Sequence, residues 1–429
     1  MLILHKVQEG DTVETIAEQY RIPVHWLEED NVITPDNRKL NVGQIIVVAY
    51  PEKTYFVKEG DTLSSIAKAN GVTVMELLRN NPFLSDRAYL EVGEELVISY
   101  DREGKKMRVN GMTFSFISEN VLRKTLPFLT FITVMGYQVD AEANLRNVED
   151  EFIIKLAIDY GVVPLMLVYT LNETGVGSFD ITHTIFNSQE LERRLVDNII
   201  TVIKAKGYYG AVLGFQYVLE EDLSLYANFI EYASERLQTA GYSLGAVLIP
   251  STFGYAEERP YEESYFSEIG QFVDSAILLS YQWATGYIPN TLQTSYLFLK
   301  GYLDVVITQI PHEKIYLGIS RIAYNWELPY VEGESMASAI SDPEALALAG
   351  QYNSEIFYDE DTKFSYFLYD LAGMEHLVWF GDARQLNAIF ELVEKYDLGG
   401  IAVWNIMRYF RIWFMINAQY EIEKLLPVE

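Results

Sequence analysis

Apolar runs in this chain end in amides and aromatic rings, where proton transfer would need acids or bases. The run GYYGAVLGFQYV (207–218) carries one amide, Gln216, followed by Tyr217. A second run ends in SYQW and supplies Tyr281, Gln282 and Trp283. A third leads into RIAYNWELPY, with Tyr324 and Trp326, and a fourth ends in VWNI, with Trp404. An amide has no proton to give near neutral pH, so Gln216 is no general acid. Aromatic faces stack on the apolar faces of sugar rings, so the set describes a saccharide cleft better than a reaction centre. Any single ring equally well fills a core. The nearest acids, Glu220, Glu221 and Asp222, read as the first turn of a helix, where negative charge suits the dipole.

Composition narrows the chemistry further. The chain has no cysteine, which removes disulfides, thiolate catalysis and Cys-based zinc sites. Its five histidines (5, 25, 183, 312 and 376) are far apart, with no His-x-x-x-His spacing, so neither a metal nor another cofactor is expected. A net charge of −29 argues against a nucleic-acid partner, which needs a basic face. No run reaches the roughly 18 apolar residues of a membrane span. The apolar part of MLILHKVQEGD is too short for a signal peptide, so a protein made in the cytoplasm is expected. The last apolar segment, YFRIWFMINAQYEIEKLL, is expected to be an amphipathic core-packing helix.

The elements that must position these residues alternate. Strand candidates fall at 111–117, 130–137, 162–170, 210–217, 243–250, 274–281, 314–320 and 399–405. Helical stretches lie between them, at 191–206, 222–240, 292–310 and 383–397. Eight such strands predict an α/β fold, a (β/α)8 TIM barrel over 101–429. The Tyr-, Glu- and Asp-rich interval from about 322 to 381 is expected to be an α+β insertion. Barrels of this kind place their chemistry at the C-terminal strand ends. The amides and aromatics above stand at those ends.

The first hundred residues repeat. HKVQEGDTVETIAEQYRIPVHWLEEDN matches YFVKEGDTLSSIAKANGVTVMELLRNN at a spacing of 50, and LNVGQIIVV (40–48) matches LEVGEELVI (90–98). Each unit reads strand, helix, helix, strand, giving small α+β modules at 1–50 and 51–100. Asp11 and Asp61 stand where an N-cap is expected. These units resemble the LysM domain, whose members bind N-acetylglucosamine-containing glycans, peptidoglycan above all, in a shallow groove between the loops flanking the helices. The resemblance implicates Gly10, Asp11, Thr12 and Asn31, with Gly60, Asp61, Thr62 and Asn81. Gly-Asp-Thr reads equally as a turn and cap, with the groove made largely of backbone.

The barrel resembles family 18 glycoside hydrolases, especially the spore cortex-lytic branch, which carries two LysM modules ahead of the barrel. The pieces that carry this are KGYYG, VLEED, LLSYQWATG, GISRIAYNWELPY, YFLYD, EHLVWFGDARQL and LGGIAVWNI. The family's fourth strand carries Asp-x-x-Asp-x-Asp-x-Glu. Its Glu is the general acid, and the Asp two residues earlier orients the substrate's own N-acetyl group, the nucleophile. Laid on this sequence, the motif falls on Tyr209, Val212, Gly214 and Gln216. The resemblance also implies that Tyr281 supports the acetamido group and that Trp404 forms the floor of the site. Three readings stay open: a peptidoglycan-binding protein with a degenerate barrel, a glycosidase with displaced catalytic groups, and a spore coat scaffold with coat proteins as partners. The relatives imply assembly in the mother cell and association with the spore coat, cortex or wall.

Overall fold

A computed structural model describes residues 2–35, 38–87, 89–170, 178–215, 218–248, 264–279, 296–331 and 334–427. The two N-terminal modules repeat one plan. In the first, β1 (Leu2–Lys6) pairs antiparallel with β2 (Ile45–Ala49), and α1 (Val13–Tyr20) and α2 (Val24–Asp30) lie between them. In the second, β3 (Lys53–Phe56) pairs with β4 (Glu95–Ser99) around α3 (Leu63–Asn70) and α4 (Val74–Asn80). The N-caps are Thr12 and Thr62, one residue later than expected. Each threonine hydroxyl accepts from the third helical N–H in a capping box, a contribution of about 1 kcal/mol per cap. The aspartates turn back instead: Asp11 accepts from the Gln8 N–H at 2.7 Å and Asp61 from the Lys58 N–H at 2.8 Å.

Eight parallel strands close the barrel: β5 (Val109–Phe114), β6 (Phe131–Gln138), β7 (Val163–Tyr169), β8 (Gly210–Gly214), β9 (Ser243–Leu248), β10 (Ser275–Leu278), β11 (Ile315–Ser320) and β17 (Gly400–Trp404). Each falls within a few residues of a strand expected from the sequence. One set of alternating side chains, Val212, Leu165, Leu167, Val247 and Ile277 among them, fills the barrel. The other set faces the helices.

Between the last two barrel strands lies the expected insertion, a five-stranded antiparallel sheet of β12 (Ile322–Glu327), β13 (Ser338–Ser341), β14 (Phe357–Asp359), β15 (Phe364–Leu371) and β16 (Met374–Phe380). Helix α7 (Asp342–Tyr352) packs on the face made by Ala323, Phe367, Val378 and Phe380.

The modules are clasped to the barrel. Ile45, Val47, Val97 and Tyr100 join the same apolar core as the barrel's outer layer. The Arg411 Nη1 donates to the Ile45 carbonyl at 3.1 Å. On the second module, Arg79 Nε and Arg102 Nη2 both donate to Asn417 Oδ1, at 3.1 and 2.9 Å. Asn417 lies on the last helix, α8 (Ile412–Gln419). That helix was expected to be amphipathic. Every residue from Ile412 to Ala418 is buried, because the second module covers the side that would otherwise meet water.

Candidate functional site

The C-terminal ends of β5, β11 and β17 surround a cleft of about 440 Å³, closed on one side by the start of α7. Trp404 ends β17 and is nearly buried at 6% exposure. Phe114, at the end of β5, meets it edge-on at 5.7 Å and stacks on Phe116 at 5.3 Å. Phe116 is 76% exposed, which leaves a ring open to solvent at the rim. Sequence reading missed this pair. The alternation Phe114-x-Phe116 at a strand end was the available signal.

The polar wall comes from β11 and α7. Arg321 follows β11 and is paired with Asp342, the first residue of α7. Both side chains are 4% exposed, and Arg321 also lies over the Phe410 ring at 5.8 Å. Arg408 Nη1 reaches the Ser341 hydroxyl at 3.3 Å. Glu344 is the acidic side chain lining the cleft among the described residues. Its Oε2 accepts from the Ser341 hydroxyl at 2.6 Å and the Ser341 N–H at 2.7 Å. Those bonds hold its pKa below the ordinary carboxylate value. Glu344 is therefore an anion at neutral pH and a poor proton donor.

The positions read from sequence on β8 fall into three places. Tyr209 precedes the strand at the opposite end of the barrel and is 42% exposed. Val212 is fully buried in the barrel interior. Gly214 ends the strand beside Tyr169, on the inward side with Val212. A Cβ built there would lie 3.3 Å from the Leu167 Cδ1 and 3.6 Å from the Tyr169 Cβ. Gln216, Tyr217, Tyr281, Gln282 and Trp283 lie outside the described residues.

Asp222, one of the nearby acids, is buried and turned toward the helix layer. It stands just before α6 (Leu223–Thr239), the helix that follows α5 (Gln189–Lys206), without a side-chain capping bond, 2.8 Å from His183 Nδ1 and 3.1 Å from Asn187 Nδ2. The pairing with Asp222 raises the His183 pKa above 6.5. A raised histidine contributes stability that is complete below its ordinary pKa and is lost as pH rises through the folded value. We expect the His183 imidazole proton, followed by NMR, to titrate above 6.5 and to fall toward that value in Asp222→Asn.

Trp326 is buried at 2% exposure and meets Tyr330 edge-on at 5.7 Å, which leaves almost no ring face to solvent. Tyr324 belongs to a cross-strand row. It sits opposite Trp379, which sits opposite Tyr366, which sits opposite Phe357. Tyr366 and Trp379 stack at 4.9 Å. This row occupies the face of the insertion sheet turned away from α7. The two-residue alternation of KFSYFLYD and EHLVWFGD carried the signal.

In the modules, Gly10-Asp11-Thr12 and Gly60-Asp61-Thr62 form matching turns. A Cβ at either glycine would meet nothing within 4 Å, so both loops are open. Asp11 is also 3.0 Å from His5 Nε2, and Asp61 accepts from the Tyr55 hydroxyl at 2.9 Å. Asn31 and Asn81 are interior. The Asn31 Nδ2 donates to the Leu27 and Val47 carbonyls, and its Oδ1 accepts from the Val47 N–H at 2.7 Å. Asn81 repeats this with Leu77 and Val97. Both amides brace the last strand of their module.

A closed eight-stranded barrel with an inserted α+β sheet and a mouth lined by Trp404, behind two βααβ modules, defines a (β/α)8-barrel protein with two small N-terminal modules. The family model for glycosyl hydrolases family 18 matches residues 178–408, and that for the LysM domain matches residues 5–49 and 55–99. The chain belongs to family 18 of the glycosyl hydrolases and carries two LysM domains. It is 34% identical over 437 residues to the cortical fragment-lytic enzyme of Bacillus subtilis, covering 98% of this chain and 99% of that one. The cortical fragment-lytic enzyme of Bacillus anthracis is 33% identical, covering 99% and 100%. The crystal structure of the Bacillus cereus spore cortex-lytic enzyme SleL superposes with a TM-score of 0.80 at 26% identity over 99% of each chain. No helix among the described residues is long and apolar enough to cross a membrane.

Proposed function

We propose that this protein holds N-acetylglucosamine-containing peptidoglycan in the spore cortex or wall without cutting it by the family's ordinary chemistry. The observation that carries this is the fourth barrel strand. Gly214 and Gln216 stand where the family motif has its acetamido-orienting Asp and its general-acid Glu, and Tyr209 and Val212 stand at two further acidic positions that the cortex-lytic branch often lacks. Gly214 has no side chain to orient an acetamido group, and Gln216 has no proton to give. Two neighbouring carboxylates are poor substitutes. Asp222 is engaged with His183 and Asn187, and Glu344 is held as an anion by Ser341. Trp404, Phe114 and Phe116 keep an aromatic mouth on which a sugar ring can stack, and Tyr281, Gln282 and Trp283 continue that set in sequence. Gln216 can still donate its amide N–H to a glycosidic oxygen. The glycan contacts of the modules fall to the open Gly-Asp-Thr turns.

The test is muropeptide release from spore cortex and vegetative peptidoglycan, run beside a pull-down on the same material. Retention on the glycan without release is expected. Turnover that disappears in Gln216→Ala overturns the reading in favour of a working glycosidase, as the names of the Bacillus relatives would have it. Failure to bind any glycan would favour the coat scaffold. At the cleft itself, Phe116→Ala is expected to weaken binding of an N-acetylglucosamine hexamer by about tenfold, equivalent to one lost stacking contact of about 1.4 kcal/mol. Because Phe116 is exposed, its melting temperature should stay unchanged.

A further inference from the structure

The two modules are near copies in sequence, yet their second loops meet different surroundings. At positions 50 residues apart, the first module has Lys39, Asn41, Val42 and Gly43 where the second has Tyr89, Glu91, Val92 and Gly93. In the first module this loop is seated on the insertion. Lys39 Nζ donates to Asn353 Oδ1 at 2.9 Å, and Asn41 Nδ2 donates to the Leu346 carbonyl at 2.9 Å. The Ile356 N–H donates to the Val42 carbonyl at 2.9 Å. Gly43 has a φ of +85°, and a Cβ there would fall on the Ile356 carbonyl. Only glycine allows both the left-handed turn and that approach.

In the second module the same loop stands free. A Cβ at Gly93 would meet nothing within 4 Å. Tyr89 is 63% exposed and Val92 70% exposed. Arg87 lies over the Tyr89 ring at 5.5 Å and is paired with Glu94, which steadies the ring without covering it. The difference at 41 and 91 is chemical. An asparagine can donate to the Leu346 carbonyl, whereas a glutamate at that place could not and would bury a charge.

We propose that the two modules divide the work: the second takes the glycan, and the first is an internal strut that holds the insertion against the barrel mouth. This rests on the glycan-binding reading above. A groove between two loops needs both walls, and the first module's second wall is seated on Asn353, Leu346 and Ile356, with Asn41 and Gly43 buried there. Helix α7 connects the two ends of the strut. Its later part and the residues after it receive the first module, while Ser341 and Glu344 at its start line the cleft.

The test uses the full chain in a Phe116→Ala background, which weakens the barrel cleft, with an N-acetylglucosamine hexamer followed by calorimetry. Tyr89→Ala is expected to lower the remaining affinity by about tenfold or more with an unchanged melting temperature. Lys39→Ala is expected to leave affinity within about twofold, by the same scale. Asn41→Glu is expected to lower the melting temperature and leave the second module's affinity intact. Affinity that survives Tyr89→Ala but falls with Lys39→Ala overturns the division while leaving the glycan reading standing. An unsubstituted chain that binds neither hexamer nor peptidoglycan overturns both.

Discussion

Gly214→Asp combined with Gln216→Glu is expected to raise hydrolysis of peptidoglycan glycan strands by about 10²–10⁴-fold over the unsubstituted chain, the usual worth of a general acid. The single change Gln216→Glu returns the acid but leaves nothing to hold the substrate's acetamido group, so it should recover much less. The change at Gly214 is sterically accessible. Gly214 is not held in the left-handed region, and the closest atom to its missing Cβ is a leucine methyl at 3.3 Å, the movable end of a side chain. Its inward place beside Tyr169 points a new carboxylate toward the barrel axis. Muropeptide release is the measurement. A double variant that still binds the glycan yet stays silent would show that the loss extends beyond these two positions. Release of equal size by the unsubstituted chain would end the pseudoenzyme reading.

The second large effect concerns stability at the cleft wall. Arg321→Met is expected to destabilise the protein by about 3–5 kcal/mol, because it leaves Asp342 buried without its cation. Arg321→Met with Asp342→Leu should recover most of that loss, since an apolar pair of similar volume carries no desolvation cost. Both side chains are 4% exposed, so water offers little screening. Among the described residues, Arg321 Nε and Nη1 have no hydrogen-bond partner. The pair is thus not fully satisfied, which favours recovery in the double variant. Denaturant midpoints of the two variants decide the matter. Equal loss in both would mean that the guanidinium acts through its packing on Phe410 instead.

The repeat and the barrel strands were legible because they are local. A spacing of 50 residues needs no tertiary information, and an apolar run bounded by turns announces a buried strand whatever it packs against. The cap was misplaced by one residue because Asp and Thr are both good capping residues, and the competing bond from Asp11 to the Gln8 N–H shows only in three dimensions. The roles of Asn31 and Asn81 were equally hidden. Their partners Val47 and Val97 lie 16 residues away, across the module.

Residue order alone was enough for the architecture, because it depends on side-chain type and short-range period, and of the predicted aromatics it put Trp404 at the mouth. Tertiary structure decided which of two near-identical modules has its second loop seated on the insertion and which leaves it exposed. It also decided that α8 is buried on every side, and that Asp222 and Glu344 are engaged in other bonds. These outcomes turn on surfaces brought together from residues hundreds of positions apart, such as Asn41 with Leu346 or Arg79 with Asn417. A module's own sequence carries its fold; what covers its loops is set by the neighbour it meets.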